Sequence, residues 1–132
     1  MSTSVEIAAY YDEENKVVVV ASENEGPVTT DLVKRATALA MQIAQEHHCD
    51  LLLFDISNMR EAQSIVQGFT DMSDIGKTTG LTFRFKCAVV YNPSKYSTSR
   101  AVFIEAVVTN RPNPIFKMFK TRDDAMEWLK ES

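Results

Sequence analysis

The chain is predicted to be α/β: a mixed, mostly parallel five-stranded sheet flanked by four helices, with an N-terminal antiparallel hairpin. Three observations carry that prediction. The runs at residues 17–21 and 51–54 are apolar at every position, as strands buried on both faces must be. Segments of strand and helix character alternate after the hairpin, and helices between successive strands imply right-handed crossovers and a parallel sheet. The tail, residues 114–129 (PIFKMFKTRDDAMEWL), passes from a strand through a helix cap into an amphipathic helix.

Each element follows from local pattern. Val5, Ile7 and Ala9 alternate with Glu6, Ala8 and Tyr10, and the polar run 12–16 turns the chain into the buried strand 17–21. After a loop at 22–28, Thr29 or Thr30 can cap a helix whose apolar positions are Leu32, Val33, Ala36, Leu39, Ala40, Ile43 and Ala44. That helix should fray at 46–49, before the strand that ends at Asp55. The stretch 58–79 reads as containing a second helix, its start left open, through Ile65, Val66, Phe69, Met72 and Ile75, although Gly68 costs about 1 kcal/mol relative to alanine.

A long strand is expected at 81–91, with Phe83, Phe85, Cys87 and Val89 on one face and Arg84 and Lys86 on the other. Asn92 and Pro93 break it. Ser94 or Ser97 can start a third helix with Ser99, Phe103, Ala106 and Val107 facing inward, which stops before the breaker cluster 110–114. In the tail, Ile115, Phe116, Met118 and Phe119 form the last strand. Thr121 caps the last helix, Asp123 and Asp124 complement its dipole, and Ala125, Met126, Trp128 and Leu129 supply its packing face.

Composition bounds the function. With 132 residues, 45% hydrophobic and 24% charged, the chain is expected to form one domain with a core that needs no staples. A formal net charge of −4 without a basic block argues against nucleic-acid or anionic-membrane partners. No apolar stretch approaches the roughly 18 residues that span a bilayer, and the start lacks a signal-peptide pattern, so a cytoplasmic location is expected. Two cysteines make no disulfide framework, and Cys87 reads as a small buried hydrophobe.

Candidate chemistry is sparse. Gly76, Lys77 and Thr78 resemble the end of a phosphate loop, but Asp71 stands where the first glycine is required. His47 and His48 are adjacent and point apart on a helix, whereas shared metal ligation uses positions three or four apart. No serine sits in a nucleophile elbow. Asp55 is the position of most interest, because ligands of open α/β sheets bind beyond the carboxyl ends of the strands. Ser57, Ser64, Asn92, Ser94 and Tyr96 are expected on the same rim, and Arg100 within reach of it. The competing reading of a lone carboxylate there is a loop or helix cap.

Three stretches now point to a family. The run LLLFDIS, the strand CAVVYNPSKY followed by SRAVFIEAV, and FKMFKTRDDAMEWL resemble the SpoIIAA-like branch of the STAS-related domains, over roughly residues 17–129. The resemblance implies a small mixed sheet flanked by helices, used in the wider family for regulated protein contacts, as in anti-sigma factor antagonists and transporter tails. Those antagonists carry a phosphorylated serine in an Asp-Ser-Ser-Gly type motif. The stretch REAQSIV places Ser64 near the corresponding helix start without the motif's acidic residue or glycine.

The expectation is therefore a non-enzymatic cytoplasmic domain, without a cofactor or metal, that acts through a protein partner or as a homodimer. Its contact rim is Asp55, Ser57, Ser64, Tyr96 and Arg100. The alternative, hinted at by relatives with a SEC14-like label, is a carrier of a lipid or other apolar small molecule. Its pocket would lie between the second and third helices and the sheet, lined by Phe69, Met72, Ile75, Phe103 and Val107, with Arg100 or Tyr96 at the mouth. An enzyme using Asp55 as acid or base would need a perturbed carboxylate in a cleft beside polar partners.

Overall fold

The structure, a computed structural model, describes residues 6–27, 29–60, 85–95 and 115–131. Strands β1 (Ile7–Asp12), β2 (Val17–Ser22), β4 (Leu51–Asp55), β6 (Lys86–Val90) and β7 (Ile115–Phe119) form one sheet in the order β1-β2-β4-β6-β7. The β1–β2 pair is antiparallel and the other pairs are parallel, as the pattern predicts. Two short strands, β3 (Gly26–Pro27) and β5 (Met59–Arg60), pair in parallel as a separate two-stranded sheet. Helices α1 (Thr30–His47) and α2 (Arg122–Lys130) complete the described elements. The two middle helices expected from the sequence fall outside the described residues, as do residues 81–84 of the long strand.

Alternation along the strands divides the core into two layers. Val18, Val20, Leu52, Phe54, Cys87 and Val89 face α1, where Leu32, Val33, Ala40 and Ala44 close over them. Val17, Val19, Leu53, Ala88 and Val90 face the other way, against Ala125 and Leu129 of α2. This is why the runs 17–20 and 52–54 are apolar throughout: every side chain has a layer to enter. Burial also pushes the Cys87 thiol up from its ordinary range, which suits an inert packing residue.

Both described helices begin as their sequences dictate. Thr29 has extended backbone and its hydroxyl accepts the Leu32 N–H at 3.2 Å; Thr121 does the same for Asp124 at 3.2 Å. Helix α1 ends at His48, whose left-handed backbone (φ 51°) lets its N–H reach the Ala44 and Gln45 carbonyls.

Several expectations are corrected. Leu39 is 38% exposed and does not belong to the α1 stripe. It precedes Ala40, which is fully buried, and consecutive helical residues stand about 100° apart around the axis. Thr37 takes a place in the stripe instead, its hydroxyl donating 2.7 Å to the Val33 carbonyl so that no polar atom is stranded. The expected loop at 22–28 contains β3, and Met59 and Arg60, in the stretch where the sequence leaves the start of the second helix open, are a strand. Met59 is fully buried, which pins this segment in extended form. The first strand reaches Asp12, and the turn after it closes through Lys16, whose φ of 58° allows its N–H to donate to the Asp12 carbonyl at 2.7 Å.

Candidate functional site

The carboxyl ends of β2, β4, β6 and β7 lie at one end of the sheet, because the four strands are parallel. The ladder continues past them: Ile56 N–H donates to the Val90 carbonyl at 2.8 Å, and Tyr91 N–H to the Phe119 carbonyl at 2.9 Å. Asp55 therefore sits on a rigid rim. Its register partners are Ala21 and Val90, and Val90 belongs to the α2 layer, so Asp55 faces the side where α2 begins.

Three donors meet its carboxylate. Ser57 gives both its N–H (3.0 Å) and its hydroxyl (2.6 Å) to Oδ1, making a tight turn immediately after the strand. Arg122, in the first turn of α2, donates from Nε to Oδ2 at 2.9 Å, and its Nη1 lies 3.5 Å from the Tyr10 hydroxyl. The Asp55 side chain is 14% exposed and that of Arg122 43%. Burial alone would push the Asp55 carboxyl up, but the Ser57 hydrogen bonds and the guanidinium outweigh it and hold the carboxyl below its ordinary range. A carboxylate held in this way stays ionised and is a poor general acid or base near neutral pH. Its contact with Arg122 ties the end of β4 to the start of α2.

Of the residues expected on the rim, the structure brings Asp55 and Ser57 together. Ser64, Tyr96 and Arg100 fall outside the described residues, as do Phe69, Met72, Ile75, Phe103 and Val107. Asn92 and Ser94 follow β6 but form their own turn, the Asn92 carboxamide accepting the Ser94 N–H at 2.9 Å. Close by, Lys95 pairs with Glu25 at 2.8 Å. The residue that sequence reasoning missed is Arg122. A signal for it existed, since a cation in the first turn of a helix opposes the macrodipole and calls for a specific acidic partner.

The other candidates are structural. His47 stacks on Tyr11 with ring centroids 4.1 Å apart, and Cys49 Sγ approaches the carbonyls of Lys16 (3.3 Å) and Leu51 (3.4 Å). Among the described residues, no group of three or more His, Cys, Asp or Glu side chains is placed to hold a metal ion. Trp128 packs against Phe119 at 5.4 Å, under the Lys86 ammonium at 4.5 Å. Lys86 also donates to the carbonyls of Trp128 and Glu131, so a cation closes the negative end of α2. No described helix is long and apolar enough to cross a membrane.

Comparison with known proteins places this architecture. No family model matches the chain, and no curated protein is significantly similar to it. Among solved structures, it is similar to a DUF3478-family protein from Shewanella loihica PV-4 whose crystal structure has a SpoIIAA-like fold. The two share 17% identity at a TM-score of 0.58, over 98% of each chain. With the sheet order and the two-layer core already described, this establishes that the chain has a SpoIIAA-like fold.

Proposed function

We propose that the chain is a non-enzymatic regulatory domain of the cytoplasm that works by protein contact, through the rim around Asp55. The observation that carries this reading is the engagement of the Asp55 carboxylate by Ser57 and Arg122, which makes the rim a surface held in shape. STAS-like folds used for regulated contacts support it by analogy of fold. The partner is a second protein or a second copy of this chain.

Ser57 supplies a means of regulation. Its hydroxyl oxygen lies 2.6 Å from Asp55 Oδ1, so a phosphate there would place about −1.5 to −2 charges beside the carboxylate and compete for Arg122. The turn and the start of α2 would both be remade. Ser64, the other serine considered for such a switch, lies outside the described residues.

A photo-crosslinking residue at Lys120, which is exposed between β7 and α2, tests the contact in the native host. One discrete protein adduct is expected, to a partner or to a second copy, and the Ser57→Glu substitution should reduce it at least about fivefold, a shift of roughly 1 kcal/mol. Absence of any discrete adduct, or an adduct untouched by Ser57→Glu, would overturn the proposal.

A further inference from the structure

On the opposite face of the sheet from the Asp55–Arg122 pair, the described residues leave a gap. Beneath the first turns of α1 lies a half-open cavity of about 40 Å³. Leu32, Val33 and Ala36 form its roof, and Val20 and Val89 its floor, with Phe54 and Ile56 at the side. Thr37 also lines it, but its hydroxyl is committed to the Val33 carbonyl.

One polar atom in the wall is uncommitted. Ser22 Oγ is fully buried and has no hydrogen-bond partner among the described residues. Leaving a buried hydroxyl unpaired costs about 1–3 kcal/mol, so such groups in native proteins call for an explanation. A ligand oxygen at Ser22 would supply the missing bond while its carbon chain covered the apolar walls.

Size and charge narrow the ligand. The cavity exceeds the roughly 10–15 Å³ that one water needs and falls well short of the roughly 150 Å³ that encloses a benzene ring, so it admits only the end of a linear chain, the remainder lying at its open mouth. The described walls are apolar apart from the Ser22 and Thr37 hydroxyls and carry no cation, so an anionic head would lose its hydration there without compensation. A neutral oxygen escapes that penalty.

We infer that this cavity binds the end of a short, neutral, unbranched aliphatic compound bearing one oxygen, such as an alcohol, with the oxygen on Ser22 Oγ and the chain between α1 and the Val20–Val89 floor. The site is separate from the rim contact and stands without it.

Methyl-resolved NMR titration with 1-butanol tests the inference. Saturable shifts are expected at the Val20, Val33 and Val89 methyls, about threefold to tenfold weaker binding in Ser22→Ala for the loss of one hydrogen bond, and no response to butyrate at the same pH. Ala36→Leu should fill the space and abolish binding, with Ala36→Val as a smaller step if the larger side chain prevents folding. Non-saturating shifts, Ser22→Ala binding as tightly as the parent, or butyrate binding as well as butanol would each overturn it.

Discussion

Asp55 and Arg122 show how one ion pair can hold two elements together across 67 positions of sequence. The carboxyl is held below its ordinary range, so its contribution to stability is complete above the unfolded-state value of about 4 and disappears as pH falls through the lower folded-state value. Asp55→Asn should therefore lower stability at pH 7 by about 1–2 kcal/mol and flatten the acid limb, with parent and variant converging at the lowest pH. Urea midpoints measured from about pH 2 to pH 7 give both curves, and parallel curves would show that the pair contributes nothing. Asp55 was legible in the sequence because it ends a fully apolar run. Its partner was not, since a chain read locally shows Arg122 only as one charge in a helix start, and the parallel topology is what brings it under β4. Leu39 shows the same limit: hydrophobicity nominated it, and 100° of helical rotation removed it.

At the scale of elements, caps proved easier to read than loops. Thr29 and Thr121 act as their positions imply because a cap hydroxyl reaches only two or three residues ahead. The β3–β5 pair escaped local reading, since its partners Gly26 and Met59 are joined through α1 and β4. Helix α1 ends with a residue of the wrong type for its backbone. His48 adopts φ 51° and ψ 45°, a region where a side chain with Cβ is strained and glycine is not. His48→Gly keeps the N–H that caps Ala44 and Gln45 and relieves the strain, at the expense of a more flexible unfolded chain. A net gain of about 0.5 kcal/mol is expected, seen as a Tm rise of about 2 °C. A lower Tm would mean that the histidine side chain contributes more than the backbone conformation costs.

For the whole molecule, the sheet separates two cores that have different neighbours and one backbone. Val18 is fully buried against α1 and Val19 is 1% exposed against α2, although the two are adjacent in sequence. Neighbours in contact usually couple, but these two side chains share no packing partner among the described residues, because successive Cβ atoms leave a strand on opposite faces. Val18→Ala and Val19→Ala should each cost about 2 kcal/mol, and the double variant about 4 kcal/mol, additive to within about 0.5 kcal/mol. Val18 and Leu52 are register partners within the α1 layer, so Val18→Ala combined with Leu52→Ala should depart from additivity by more than that, as both truncations open into one void. Urea unfolding of the parent, the three single variants and the two double variants supplies the six free energies and, in the same curves, the m-value. An unchanged m across the Val18 and Val19 variants would mean that the shared strand makes the two layers unfold together, even though their packing energies are independent. Coupling between Val18 and Val19 as strong as that between Val18 and Leu52 would instead show that strain passes through the sheet from one helix to the other.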